Sequence, residues 1–192
     1  MSVDWEHIPA KHRSLIKAFL DEADMSADAI KTVDFPPAYG ADIVVSCEKA
    51  KDPKNGSIYL KPTQFVLGIG CRRDTAFENI DRAIRQSLLK LQIDISDIDM
   101  IASIDVKKDE PGIKEFCDRN RIDFVTYTAD ELMAVQGEFS ASQFVREHVG
   151  VDNVCERAAV LACSRECNEA GELIYKKHKY DMVTVAAARY PD

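Results

Sequence analysis

One stretch of the sequence reads as a strand, a turn and the start of a helix: Phe65-Val66-Leu67-Gly68-Ile69-Gly70-Cys71-Arg72-Arg73-Asp74-Thr75. Its first half is apolar and partly β-branched, which is typical of a buried strand. Gly68 and Gly70 allow the backbone to come close to a ligand or to adopt positive φ. The stretch therefore predicts a loop at the end of a buried strand that is shaped to meet a ligand.

The turn itself has the features of an anion-binding corner. Thr75 is a candidate cap for the following helix, whose first-turn N–H groups favour an anion. Arg72 and Arg73 add two planar guanidinium groups that suit carboxylate or phosphate. The glycine spacing matches neither a dinucleotide-binding G-x-G-x-x-G nor a Walker loop. An ordinary strand-to-helix turn with solvated arginines is therefore the alternative.

The composition is that of a globular chain with an acidic balance. Of the 192 residues, 46% are apolar and 30% are charged, and the net charge is −8. This balance argues against binding to nucleic acid or to a membrane surface, since both depend on basic surfaces. No apolar run approaches the roughly 18 residues of a membrane helix, and the N-terminus lacks a signal-peptide pattern. We therefore expect a cytoplasmic protein.

The six cysteines and four histidines do not form a recognisable metal motif. No C-x-x-C occurs, and the closest pair, Cys163 and Cys167, has no second pair to complete a site. We expect reduced, mostly buried thiols rather than a zinc site or a disulfide framework.

Predicted strands and helices alternate along the chain. Strands are predicted at 41–47, 57–61, 65–71, 98–106, 123–127, 172–175 and 182–188, and helices at 4–24, 75–93, 129–135 and 140–150, with further helices around 113–117 and after Asn153. The last two strands, joined by a predicted basic turn at Lys176-Lys177-His178-Lys179, should pair antiparallel. The alternation predicts the α/β class, with a layered α/β/α domain and a mixed β-sheet over 63–192. A smaller N-terminal α/β segment with one helix and two strands is predicted over 1–62.

A second charged loop, Asp105 to Gly112, follows the strand predicted at 98–106. Ligands of open α/β sheets bind beyond the carboxyl ends of the strands, where both this loop and the glycine-arginine turn are expected. For Lys107 to Glu110, a solvated charge run is the alternative interpretation.

Four motifs in one order resemble the C-terminal domain of the cobalamin-biosynthesis protein G family, the cobalt-precorrin-5A hydrolases, and its relative CobE. They are Gly68-Ile69-Gly70-Cys71-Arg72-Arg73, Ala102-Ser103-Ile104-Asp105-Val106-Lys107-Lys108-Asp109-Glu110-Pro111-Gly112, Gly150-Val151 with Val154-Cys155-Glu156-Arg157-Ala158-Ala159, and Thr184-Val185-Ala186-Ala187-Ala188. The resemblance covers residues 65 to 188. Asp74 stands where the family usually has glycine, and the region before the shared domain is shorter than in full-length protein G. The chain is thus expected to be a fragment, a split-gene product or a stand-alone module closer in role to CobE.

The resemblance implies a step of anaerobic corrin-ring synthesis in which water opens the δ-lactone of cobalt-precorrin-5A and acetaldehyde leaves. It implies catalytic roles for Lys107, Asp109 and Glu110, with Asp105 as a further candidate base. Substrate contacts are implied for Gly68, Gly70, Cys71, Arg72, Arg73, Thr75, Ser103, Lys108, Glu156 and Thr184. No metal site and no cofactor of the protein's own is expected, because the substrate carries the cobalt. Partners left open are a separate N-terminal domain, other corrin-pathway enzymes and a second copy in a homodimer.

Several of these roles have structural alternatives. Glu156 would also serve as a dipole partner in the first turn of a helix, Thr184 as a good strand former, and Cys71 as a small residue packed under the loop. Two other functions stay open for the whole chain. One is a non-catalytic carrier of corrin intermediates, and the other is a phosphate- or nucleotide-binding domain that uses the corner from Gly68 to Thr75.

Overall fold

The computed structural model describes residues 65–140, 150–167 and 170–191, and before them the backbone of 2–3, 31–32, 43–45 and 58–60 together with Arg13. The chain forms two compact units, one from Met1–Gln64 and one from Phe65–Pro191. In the part of the chain that is described, no helix is long and apolar enough to cross a membrane.

The first unit contains a four-stranded parallel sheet in the order β2-β1-β3-β4. Its strands are β1 (Ser2–Val3), β2 (Lys31–Thr32), β3 (Ile43–Val45) and β4 (Ile58–Leu60). The predicted strands at 41–47 and 57–61 are confirmed as β3 and β4. The other two went unpredicted because two residues are too few to show an alternating pattern. The helix predicted at 4–24 lies outside the described residues, apart from Arg13, which is helical.

The second unit is built on a mixed five-stranded sheet in the order β7-β6-β5-β9-β8. Its strands are β5 (Phe65–Cys71), β6 (Ile98–Ile104), β7 (Asp123–Tyr127), β8 (Glu172–Lys179) and β9 (Val183–Arg189). β5, β6 and β7 run parallel, whereas β9 is antiparallel to both β5 and β8. The predicted α/β class and mixed sheet are confirmed.

Helices cover both faces of this sheet. They are α1 (Phe77–Leu91), α2 (Pro111–Asn120), α3 (Ala129–Ala134) and α4 (Val154–Cys167), with short 3₁₀ turns at Ile95–Asp97 and Asp105–Lys107. Alternate residues of a strand point to opposite faces. Leu67 and Ile69 therefore pack with α1 and α2 on one side, while Val66 packs with α4 on the other. The result is the predicted three-layer arrangement.

The basic run 176–179 belongs to strand β8, so the turn predicted there is wrong. β8 continues to Lys179, which pairs with Thr184 of β9, and the chain reverses at Tyr180 to Met182. Met182 has a φ of 58°, and the Tyr180 N–H donates to the Val183 carbonyl oxygen at 2.7 Å. Because β8 is an edge strand, its lysines can extend into solvent, and lysine is a usual residue at sheet edges.

Candidate functional site

The carboxyl ends of β5 and β6 bring the two predicted loops side by side. The strands are parallel neighbours, with Gly68 paired to Ala102, so residues 72–76 and 105–110 leave the same edge of the sheet. The hydroxyl of Ser103 donates to the Ile69 carbonyl oxygen at 2.7 Å and ties the strands together just before the loops begin. Ser103 is fully buried, so it stabilises the strands that carry the two loops.

Glu110 joins the two loops through both of its carboxylate oxygens. Oε1 accepts a hydrogen bond from the Thr75 N–H at 3.0 Å, and Oε2 accepts one from the Lys107 Nζ at 2.8 Å. The side chains of Lys107 and Glu110 are only 14% and 4% exposed. With both oxygens engaged, Glu110 is better suited to holding Lys107 in place than to taking a proton from water.

Thr75 closes the turn instead of capping the helix, so the predicted cap is wrong. The N-cap of α1 is Ala76, which makes no side-chain capping bond, and Thr75 lies one residue before it. The Thr75 hydroxyl donates to the Arg72 carbonyl oxygen at 2.7 Å. Its N–H is already used by Glu110. The N–H and the hydroxyl group of this buried residue therefore both fix the loop conformation.

Asp74, at the position where the resemblance places a glycine, has a left-handed backbone conformation. Its φ is 57°, and aspartate is among the few residues that tolerate this region. The substitution therefore preserves the turn while it places an exposed carboxylate next to the two arginines.

Gly68 and Gly70 make room for neighbouring elements. Neither appears among the described residues with positive φ, which include Gly137 and Gly150. A Cβ atom on Gly68 would lie 1.7 Å from the Cys155 carbonyl oxygen at the start of α4, and one on Gly70 would lie 2.7 Å from the Thr184 Oγ1. Gly68 thus permits close packing of the helix on the sheet. Positive φ does not explain either glycine.

Three cationic side chains around the loops have no carboxylate partner within the described ranges: Arg72, Arg73 and Lys108. All three are exposed. Asp109 is 76% exposed, and its Oδ1 lies 3.7 Å from the Lys114 Nζ, which is a loose ion pair. Unpaired cations next to an exposed carboxylate, at one edge of an acidic protein, make a surface on which an anion can bind.

Cys71 is a half-buried thiol next to this cluster. Burial raises its pKa to about 11, although the nearby Lys107 ammonium lowers it in part. The thiol is therefore protonated at neutral pH and is a poor nucleophile, which favours the packing role over a catalytic one.

Glu156 organises a second polar cluster, on the α4 side of the sheet. Its carboxylate accepts hydrogen bonds from the Ser140 N–H and hydroxyl, at 2.7 and 2.8 Å, and from the Lys177 N–H at 2.6 Å. Burial tends to raise the pKa of this carboxyl, but the hydrogen bonds outweigh it and hold the pKa below its ordinary value. Glu156 is thus a buried, charged anchor for two segments of the backbone.

The β8–β9 turn contacts the glycine-arginine loop at the edge of the sheet where the first cluster lies. The Thr184 hydroxyl donates to the carbonyl oxygen of Gly70, its pairing partner, at 3.2 Å. The Arg72 N–H donates to the Met182 carbonyl oxygen at 3.0 Å, which joins the glycine-arginine loop to the β8–β9 turn. Lys177 was not predicted as a site residue, although a basic run in an acidic chain was a signal that could have identified it.

Within the described residues, no group of three or more histidine, cysteine, aspartate or glutamate side chains is placed to hold a metal ion. The two clusters are held together by hydrogen bonds from backbone and side-chain groups and by the ion pair of Lys107 with Glu110.

Comparison with known proteins finds one matching family, described as "Cobalamin synthesis G C-terminus", over residues 65–188. A cobalt-precorrin-5A hydrolase from Salmonella typhimurium (strain LT2) is 38% identical over 102 residues, which cover 53% of this chain and 29% of that protein. A probable cobalt-precorrin-5A hydrolase from Methanocaldococcus jannaschii is 31% identical over 137 residues, which cover 69% of this chain and 42% of that protein. The chain thus spans less than half the length of these relatives.

A similar solved structure is that of CobE, described as a protein from the cobalamin (vitamin B12) biosynthetic pathway. The two structures superpose with a TM-score of 0.62 at 25% sequence identity, over 65% of this chain and 89% of the CobE chain.

Proposed function

Because this chain belongs to the cobalamin synthesis G C-terminus family, we propose that it binds a cobalt-corrinoid intermediate and takes part in hydrolysis of the δ-lactone of cobalt-precorrin-5A. In this reaction water opens the lactone, a two-carbon unit leaves as acetaldehyde, and the contracted ring is cobalt-precorrin-5B. The names of the two hydrolase relatives support this assignment.

The observation that carries the proposal is the link through Glu110 between two loops that bear unpaired cations. Corrinoid intermediates carry several acetate and propionate carboxylates, whereas the protein has a net charge of −8. Long-range electrostatics therefore repel such a substrate, and binding requires a local cationic surface. Arg72, Arg73 and Lys108 supply this surface, and guanidinium groups suit carboxylates in particular.

Lys107 and Asp109 are the proposed reacting groups. Attack of water on the lactone carbonyl creates an oxyanion, and the Lys107 ammonium, held by Glu110 at 2.8 Å, is preorganised to stabilise that charge. Asp109 has an exposed carboxylate that is only loosely paired with Lys114, so it can accept a proton from water. Glu110 acts through Lys107 as a positioning residue.

Hydrolysis consumes only water, so the proposal includes no cofactor of the protein's own, and the cobalt is part of the substrate. We expect the reaction to take place in the cytoplasm.

Acetaldehyde release tests this proposal. The protein is incubated with cobalt-precorrin-5A, and acetaldehyde is measured through NADH oxidation by alcohol dehydrogenase. Lys107→Met and Asp109→Asn should each slow release by about a hundredfold, in the range for loss of one electrostatic or acid–base group. Lys114→Met changes the same charge at an exposed position and should leave the rate within twofold of wild type. Equal rates in all variants would refute these roles.

A second candidate, a CobE-like carrier that binds corrinoids without hydrolysis, is favoured by the extent of the structural match. The aligned region covers 89% of the CobE chain but only 29% and 42% of the hydrolases. Corrinoid binding without acetaldehyde release would support the carrier. A thermal shift caused by nucleotides and not by corrinoids would instead support the phosphate-binding alternative.

A further inference from the structure

Strand β8 contains a bulge at Lys176 and Lys177. Tyr175 pairs with Ala187 and His178 pairs with Val185, so two residues of β8, Lys176 and Lys177, lie opposite the single residue between those partners. A bulge of this kind leaves an N–H group without its ladder partner, and bulges next to active sites often redirect a side chain.

Glu156 compensates for the bulge at the place where the ladder is interrupted. Its Oε1 accepts the Lys177 N–H at 2.6 Å, and its side chain is fully buried. A buried carboxylate is costly unless it is well hydrogen-bonded, and here it is bound by Ser140 as well. The backbone of Lys177 is therefore held firmly in a conformation that a regular strand would not adopt.

The side chain of Lys177 differs in exposure from that of its neighbour Lys176. It is half-buried, as are Gly70, Thr184 and Ser140, whereas the adjacent Lys176 is exposed. Burial raises the pKa of the Cys155 thiol to about 12, and the Lys177 ammonium is close enough to lower it in part. Within the described ranges no carboxylate forms an ion pair with the Lys177 ammonium.

The strand register places Lys177 level with the middle of β5. Its neighbour His178 pairs with Val185, which pairs with Ile69 on its other side. Lys177 thus lies two strands away from β5, at the level of Gly68, and the glycine-arginine loop begins four residues further along β5. Adjacent strands are about 4.8 Å apart and each residue advances about 3.3 Å along a strand, so the backbone of Lys177 lies about 15 Å from the start of the loop, a distance that a tetrapyrrole with its side arms can span.

We propose that Lys177 is a further substrate-binding residue, whose ammonium group binds a carboxylate side arm of the corrinoid, and that Glu156 positions it through the β8 bulge. This inference rests on the proposed function and extends the cationic surface from the Arg72–Lys108 loops to strand β8. A ligand with many carboxylates would then be bound by cations from the loops and from strand β8 together.

Two cobalt corrins serve as probes: cobyrinic acid, which carries free carboxylates, and cobinamide, in which they are amides. Affinity is measured by absorbance titration for wild type, Lys177→Met, Lys177→Arg and the matched control Lys176→Met. Lys177→Met should weaken binding of cobyrinic acid about tenfold, as expected for loss of one charge-assisted hydrogen bond, and should leave cobinamide unchanged. Lys177→Arg should retain most of the affinity, and Lys176→Met should stay within twofold of wild type.

Glu156→Gln provides the test of positioning. It should weaken cobyrinic acid binding in the wild-type background but add little to Lys177→Met, because it acts through the same residue. Additive losses would overturn the positioning role. If wild type bound cobyrinic acid and Lys177→Met bound it equally well, the role of Lys177 would be overturned while the proposed function stood. If wild type bound neither corrin, both would be overturned.

Discussion

Gly68 and Cys155 are in such close contact that a Cβ atom on Gly68 would lie 1.7 Å from the Cys155 carbonyl oxygen. The carbonyl belongs to the first turn of α4, so the helix approaches β5 at a glycine. The same Cβ would also lie 3.0 Å from the Ala159 backbone nitrogen. Helix backbone cannot rotate away as a side chain can, and α4 could only accommodate the extra atom by moving off the sheet.

Gly68→Ala should therefore lower the free energy of unfolding by about 3 kcal/mol or more, at the upper end of the range for overpacking. Gly70→Ala is the matched control, since its Cβ would contact the Thr184 Oγ1 at 2.7 Å rather than a backbone atom. A side chain can shift, so a smaller loss of about 1 kcal/mol is expected. Urea unfolding followed by circular dichroism measures both, and equal losses would show that α4 yields easily.

Breaking the pair Lys107–Glu110 should lower the free energy of unfolding far more than breaking the pair Lys114–Asp109. Removing one partner of a buried pair leaves an uncompensated charge, so Lys107→Met should cost about 3 kcal/mol of unfolding free energy. Lys114→Met breaks an exposed pair of 3.7 Å and should cost less than about 0.5 kcal/mol. The double variant Lys107→Met/Glu110→Gln should recover part of the loss. Glu110→Gln is measured alone as well. If the losses of Lys107→Met and Glu110→Gln simply add in the double variant, the two side chains are not directly coupled.

Two substitutions of Asp74 separate the effect of backbone conformation from the effect of charge. Asp74→Ala should lower the free energy of unfolding by about 1 kcal/mol, because the left-handed region at a φ of 57° is less favourable for alanine than for aspartate. Asp74→Gly should be at least as stable as wild type. Both variants remove a carboxylate next to Arg72 and Arg73, so both should bind cobyrinic acid about threefold more tightly. An affinity gain in the glycine variant alone would point to loop conformation instead.

The lowered pKa of the Glu156 carboxyl predicts how the free energy of unfolding depends on pH. Its pKa in the folded protein lies below the ordinary value of 4.5, so the unfolded chain takes up the proton first as the pH falls. The stabilisation by this carboxylate is complete above the unfolded pKa and is lost as the pH falls through the folded pKa. Glu156→Gln should thus be less stable than wild type at pH 7, and the difference in unfolding free energy should narrow as the pH falls below about 4.5.

Chemical unfolding at a series of pH values measures this gap. Glu138→Gln is a suitable control because it removes one charge from an exposed side chain. Its unfolding free energy should follow that of wild type at every pH. A constant gap between wild type and Glu156→Gln would show that the carboxylate is not responsible for the acid sensitivity.

The strand–turn–helix unit could be predicted from the sequence because its signals are local. An apolar run followed by glycines and a periodic helix identified β5 and α1, and the observed helix Phe77–Leu91 lies within the predicted 75–93. The charged loop after β6 was found in the same way. Parallel order then placed both loops at one edge, which is a property of α/β sheets in general.

The contacts that connect distant segments could not be predicted. Thr75 has the residue type of a helix cap, but its N–H is taken by Glu110, which lies 35 positions further along the chain. Lys177 looked like part of a turn because its bulge depends on pairing with β9 and on a buried acid from α4. Pairing register and buried partners are properties of the folded chain, and no local pattern encodes them.

The carboxylate bridge of Glu110 also limits how this protein can be redesigned. A chimaera that imports residues 71–76 alone keeps the Glu110 carboxylate only if the imported loop presents the N–H of residue 75 to it, and an import of 105–110 alone has to supply an acid that reaches this N–H. The two segments form one structural unit and have to be exchanged together, although 28 residues separate them in the sequence.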